Sequence, residues 1–260
     1  MLADKILCLK AFDVPGNHTY ADGTPQTEQE DKGRTLNGSN LWETSNIRAW
    51  LNSTAAAGGV AWPDGCPPTE EMFYNGNNAY ANEKGFLADG NFTGNEIGAI
   101  KKVVQKSILP GLDKEKLNVD GISEFNWQPE IKKVVSNYDT TFFHSVEDTV
   151  FLLDVKQINK VWKNSEVLGD GYYIGQPTEK AVQIDETKSE GFANDSNWYY
   201  WLRTPLPSGT NVLKVFTDGS INDFGAGSNQ MGVRPAFYFA LESKEFLSGD
   251  GSNQSPYTLK

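Results

Sequence analysis

The chain has 260 residues, 38% of them hydrophobic and 22% charged, with a formal net charge of −11. That length and apolar content can bury a substantial core in one large domain or two small ones, and they exclude a disordered chain. The acidic balance, with no basic patch interleaved with aromatics, excludes nucleic acid as a partner because its phosphates would be repelled.

Residues 4–12 read as a strand that ends at the turn-prone Val14-Pro-Gly-Asn17, and a polar loop runs on to about residue 40. A short helix follows: Ser45 is placed to cap it, and Ile47, Trp50 and Leu51 recur at helical spacing on one face. Residues 54–84 read as a long irregular insertion, functional or specific to this chain. Thr93-Gly-Asn-Glu96 is a capping box, and the helix it opens is expected to carry Ile97, Ile100, Val103 and Val104 as its apolar stripe and to end at Pro110.

A second insertion is expected over 111–147, with a short helical candidate at 130–135. Thr149–Leu153 reads as a buried strand, and Asp154 as the cap of a helix bearing Val155, Ile158, Val161 and Trp162. Beyond residue 165 the pattern is strand and turn: Gly171–Ile174, Trp198–Arg203, Val212–Thr217, the turn Asp218-Gly219, and Gly232–Leu241. Helices early and an antiparallel sheet late make the class α+β, expected as a single domain over 1–260. Trp50, Ile97, Ile100, Phe151, Leu202 and Val233 are the expected core.

Reactive constellations are weak. His18 and His144 are the only histidines, both expected in loops or at the surface, and they form no local metal motif. There is no Gly-X-Ser-X-Gly elbow and no P-loop, and Gly225-Ala-Gly227 is too irregular for a dinucleotide loop. Asp218-Gly-Ser220-Ile-Asn222-Asp223 resembles half of a calcium loop, but Asp223 stands where glycine is needed and Asn229 where a glutamate is needed, so a plain hairpin turn is expected. No cofactor, metal or catalytic residue is assigned. Cys8 and Cys66 are too few for a disulfide framework and are read as thiols.

The recognition chemistry is concentrated in the last third. Trp198, Tyr199, Tyr200 and Trp201 alternate faces in a strand, so two are expected in the core and two at the surface, with Trp198 and Tyr200 assigned to the binding face. Arg203 and Arg234 are read as closing strands through a carboxylate or backbone carbonyls, the alternative being a bidentate clamp on an anion. The stretch 208–230 is dominated by small polar residues, which make adaptable hydrogen-bonding surface at low entropic cost. Asn211, Lys214, Asn222, Asp223, Phe224, Ser228 and Asn229 are its expected contact residues.

Six segments together carry a resemblance: Leu2–Leu7, Trp42–Asn52, the helix at 95–103, Thr149–Leu153, Trp198–Pro205 and Gly232-Val-Arg-Pro-Ala236. They resemble a bacterial domain of unknown function found in surface and phage-associated proteins, which typically ends in Trp-Trp-Leu-Arg-Ser-Pro-Gly and then Gly-Val-Arg-Pro-Ala. That domain is similar in turn to the C-type-lectin-like fold, shared by sulfatase-modifying oxidases and by ligand-binding proteins that retroelements diversify. The oxidases need reactive cysteines late in the fold, whereas Cys8 and Cys66 lie early.

The resemblance implies a ligand-binding module, with a cell-surface protein or a glycan as partner. The alternative is a carbohydrate-active or other hydrolase using loop carboxylates. No apolar run of about 18 residues is present, and no membrane span is expected. Met1–Lys5 does not begin a signal peptide, so the expectation is a fragment without its leader, extracellular or at the cell surface, or part of a phage particle.

Overall fold

The computed structural model describes residues 40–63, 67–69, 80–108, 143–164, 168, 171–183, 191–193, 195–205, 210–228, 231–240, 246–249, 255 and 258–259. The expected strand at 4–12, the helical candidate at 130–135, and Cys8, His18, Cys66 and Asn229 lie outside these residues.

Helix α1 (Asn46–Leu51) forms where its cap predicts: the Ser45 hydroxyl accepts from the Arg48 N–H at 3.2 Å, and Ile47, Trp50 and Leu51 are buried. The helix ends at Asn52, which also reads the next segment. Its Nδ2 donates to the carbonyls of Arg48 and Val150, at 3.0 and 2.8 Å, and its Oδ1 accepts from the Thr149 and Val150 N–H groups. Beside it the fully buried Asp148 accepts from Trp42 Nε1 at 3.0 Å and pairs with Arg48 Nε at 2.6 Å. A buried carboxylate holding a cation and an indole N–H is satisfied on both oxygens, the condition under which burying a charge is tolerated.

Helix α2 (Gly94–Ala99) has the expected capping box: Glu96 Oε2 accepts from the Thr93 N–H at 2.7 Å, and Thr93 Oγ1 from the Glu96 N–H at 3.3 Å. It stops at Ala99, not at Pro110. The chain then extends into β1 (Ile100–Lys101) and β2 (Val103–Ile108). The expected apolar stripe is therefore absent, with Ile97 38% and Val104 67% exposed and Ile100 half-buried. Val103, Val104 and Ile108 are β-branched, and they satisfy a pleated ladder at lower side-chain cost than a helix.

Strand β2 pairs antiparallel with β3 (Phe143–Asp148), in register from Val103 opposite Asp148 to Ile108 opposite Phe143. The expected insertion over 111–147 thus gives up its last five residues to a strand, and half-buried His144 lies in β3, within 3.1 Å of Glu43, rather than in a loop. After β3 the expected strand at 149–153 is one antiparallel bridge, Phe151 with Ala236, inside a buried segment. Asp154 caps α3 (Val155–Lys163) through a second capping box, with Gln157 as its partner. The expected strand at 171–174 is a turn leading to a single bridge from Gly175 to Trp198, and α4 (Glu179–Gln183) follows it.

The central sheet is β4 (Tyr200–Pro205), β5 (Asn211–Val215) and β6 (Ile221–Gly225), antiparallel and in that order. Gly232 makes a parallel bridge to Tyr200 along the far side of β4, so β4 is internal and all six of its residues are buried. Of the expected strand 232–241, only the bridges at Gly232 and Ala236 and the short β7 (Tyr238–Phe239), paired with β1, are extended. β8 (Phe246–Ser248) and β9 (Thr258–Leu259) form a separate pair. The result is a mixed α+β fold of small antiparallel sheets with few helices.

Period-two alternation divides the core. Trp201 and Val212 face a cluster with Trp42, Trp50, Leu51, Phe151 and Val233, whereas Tyr200, Leu202, Leu213 and Val215 face Val155, Ile158, Phe192 and Trp198. The described parts of 54–84 hold no strand or α-helix but join the first cluster through Tyr80, on which Trp62 packs edge-on with ring centroids 5.4 Å apart.

Leu202→Ala removes a fully buried side chain between the layers and should cost about 2–5 kcal/mol, against roughly 0.5 kcal/mol or less for Ile97→Ala on the exposed side of α2. Urea unfolding of the two variants checks the placement, and equal costs would refute it.

Candidate functional site

Register brings the polar residues of the hairpin into two groups. Lys214 lies opposite Trp201 on one side and Asn222 on the other, and Val212 lies opposite Phe224, so these side chains share one face. Leu213 lies opposite Asp223 on the reverse face, where Asn211 Nδ2 donates to Asp223 Oδ2 at 2.7 Å. The expected contact residues therefore separate: Lys214, Asn222 and Phe224 come together, while Asn211 and Asp223 bond each other behind the sheet.

Lys214 is only 4% exposed, yet its Nζ meets aromatic faces: Phe224 at 4.5 Å, Tyr199 at 4.7 Å and Phe216 at 5.2 Å from the ring centroids. Tyr199 and Phe216 stack nearly parallel at 5.7 Å and 18°, forming one wall. Phe224, 46% exposed, is the other wall and the outward face of β6, which is the edge strand of this sheet. Ring quadrupoles stabilise a cation stripped of water, but not as well as water does. Burial accordingly lowers the Lys214 ammonium pKa to about 8, against the opposing pull of the Asp223 charge.

The hairpin closes at the expected Asp218-Gly219 turn. Asp218 Oδ1 accepts from the Ser220 N–H at 2.9 Å, and Gly219 adopts φ +83°. The Ser220 hydrogen bonds hold the Asp218 carboxyl below its ordinary range. Ser228 is half-buried and its N–H donates to the Gly225 carbonyl. Among the described residues no group of three or more His, Cys, Asp or Glu is arranged to hold a metal ion.

Trp198 and Tyr200, assigned from sequence to the binding face, are placed in the interior at 5% and 1% exposure. The half-buried member of the aromatic run is Tyr199. The reason is that β4 is covered on both faces, so alternation sorts its side chains between two cores rather than between core and solvent. Tyr199 and Phe216, which complete the cage, were missed, because their approach to Lys214 depends on the register of the paired strands beside them. Tyr172, 41% exposed, was missed as well.

Both arginines follow the structural reading. Arg203, 3% exposed, pairs through Nη2 with Asp154 at 2.9 Å and donates through Nη1 to Gln157 Oε1 at 2.6 Å and to the Leu152 carbonyl. Arg234 donates through Nη1 to the Tyr200 hydroxyl at 3.2 Å and through Nη2 to the Tyr172 carbonyl at 2.7 Å. Tyr200 in turn donates to the Tyr173 carbonyl at 2.5 Å; burial raises its phenol pKa and Arg234 opposes the rise.

Compared with known families, residues 4–241 match the domain of unknown function DUF6273. The chain belongs to that family. Neither the curated proteins nor the solved structures yield a match. The matched range includes the β4–β5–β6 sheet and both arginine-bearing segments, so a domain of unknown function spans most of the chain.

Lys214→Met should unfold at higher urea than the native chain at pH 7, because it keeps the ring contacts without the buried charge. The folded ammonium titrates near 8 and the unfolded one near 10.5, so the unfolded chain holds more protons between those values and the native chain gains stability as pH rises through them. The gap between variant and native should therefore narrow from pH 7 to 10, and a constant gap would contradict the assignment. Separately, a Cβ at Gly219 would lie 2.3 Å from Tyr173 Cε2 in a left-handed backbone conformation, and Gly219→Ala should cost about 1–3 kcal/mol by thermal or urea unfolding.

Proposed function

We propose that this domain is a ligand-binding module whose contact face is the Lys214–Asn222–Phe224 side of the β5–β6 hairpin. The observation that supports it is Phe224: a phenyl ring left 46% exposed on an edge strand, beside the half-buried Asn222 and against a caged cation. A rigid aromatic anchor flanked by short polar side chains is the composition that recognition surfaces favour, because little entropy is lost on binding. Behind it the second packed cluster, reached through Leu213, Val215 and Ile221, supplies a stiff backing.

The reading extends to fold kinship and setting. The Trp201-Leu-Arg-Thr-Pro205 and Gly232-Val-Arg-Pro-Ala236 segments resemble those of a bacterial domain similar in turn to the C-type-lectin-like fold, and the polar hairpin between them resembles the variable region of retroelement-diversified binders. On that kinship the partner is a protein or glycan of a cell surface, and the domain acts outside the cell, at its surface, or on a phage particle.

A protein and glycan array probed with the native chain and with the Asn222→Ala, Phe224→Ala double variant tests this. A target bound by the native chain should be bound at least about tenfold more weakly by the variant, as expected when an aromatic anchor is removed. Equal binding, with the variant's melting temperature preserved, overturns the proposal.

A further inference from the structure

Three arginines fall among the described residues, and two are neutralised by carboxylates: Arg48 by Asp148 and Arg203 by Asp154. Arg234 is not. Among the described residues its hydrogen-bond partners are a phenol oxygen and a backbone carbonyl, both uncharged, in a chain with 34 Asp and Glu residues. Its guanidinium carbon lies 5.2 Å from the Tyr172 ring centroid and 5.3 Å from that of Tyr200. The two rings and two oxygens fix the plane of the cation, while a guanidinium has five N–H donors, more than these partners use. A planar cation held in orientation can offer the donors left over along its edge to an anion at little entropic cost.

Tyr172 determines what kind of anion suits this edge. Arg234 lies over one face of its ring, and with the side chain 41% exposed and its own carbonyl holding Arg234, apolar ring surface remains open next to the cation. A bare phosphate would use the cation and leave the ring idle. A carboxylate carried on a sugar ring uses both, with its two oxygens on the guanidinium and the C–H face of the ring against the tyrosine.

The location is also appropriate. Gly232 bridges Tyr200 at the start of β4, and Gly219 of the β5–β6 turn lies against Tyr173, next in sequence to Tyr172. We propose that Arg234 and Tyr172 form a subsite for a carboxylated sugar of the uronic-acid type. The proposal rests on the ligand-binding reading above and names the chemistry of part of its ligand.

The full chain, labelled to follow the Arg234 Nε–H and Tyr172 ring signals, is titrated with glucuronate, methyl glucoside and inorganic phosphate. Glucuronate should shift both signals saturably, with an affinity in the millimolar range expected of one small fragment. The neutral glucoside and phosphate should bind at least about fivefold more weakly. Tyr172→Ala, an exposed side chain whose carbonyl remains, should weaken glucuronate at least about fivefold with the melting temperature kept, and Arg234→Lys should do the same by losing the planar fork while keeping the charge. If Arg234→Lys fails to fold, the Tyr172 variant decides. The subsite is refuted if the Arg234 signal does not saturate with glucuronate, if phosphate binds equally well, or if Tyr172→Ala binds glucuronate unchanged. Refutation here alongside loss of array binding in the Phe224 variant removes this subsite and leaves the contact face standing; the converse removes the hairpin face and leaves the subsite.

Discussion

The Arg203 guanidinium is the point from which the middle of this domain is assembled. It is carried by the internal strand β4, and it reaches the cap of α3 through Asp154 and Gln157, the preceding segment through the Leu152 carbonyl, and β2 through the Lys106 carbonyl at 3.4 Å. Burying a charge costs several kcal/mol, repaid only when geometry satisfies its donors. Asp154 shows how tightly the geometry is specified. One of its oxygens caps the helix and the other pairs with the arginine, so helix entry and strand position are set by the same carboxylate. Thr204, next to Arg203, adds a bond from the Val155 N–H at 3.0 Å, which locks the first turn of α3 against β4. The second hydrophobic cluster, with Val155 and Ile158 over Leu202 and Leu213, depends on that docking.

Asp148 has the same part at the end of β3. Its pairing with Arg48 and Trp42, and the four backbone contacts of Asn52, bind α1 to the end of β3. Trp42, Arg48 and Asn52 thus belong together because one end of one strand needs all three. Strands here are two to six residues long, so ladder hydrogen bonds are few. Side chains that bond backbone carry the alignment that longer ladders carry elsewhere.

Local chemistry was legible where one residue decides the outcome. Ser45, Thr93 and Asp154 read as caps and are caps, and Asp218-Gly219 reads as a turn and is one. What failed depends on distant partners. Ile97, Ile100, Val103 and Val104 fit helical spacing, but Val103–Ile108 pairs with a strand that begins at Phe143, 35 positions beyond Ile108 in the chain. Trp198 and Tyr200 read as half-exposed because alternation alone cannot reveal that β4 has a core on each side. Lys214 was singled out as a polar contact residue, while its burial among three rings follows from the register of β4, β5 and β6, which only the folded hairpin fixes.

Opposition of Ile108 and Phe143 at the open end of the β2–β3 ladder has a consequence for how chains of this kind can vary. Facing residues in an antiparallel pair are only about 4.5–5.5 Å apart, a gap that a two-residue turn closes as well as a long excursion does. Doubling the length of a connection costs only about 0.6 kcal/mol in closure entropy. A connection of any length that returns the chain to that spacing preserves the pairing, whereas a single-residue slip of β3 along β2 would turn the buried Val146 and Asp148 outward together. What the ladder itself fixes is phase, through the pleat, and not the number of residues between its two strands.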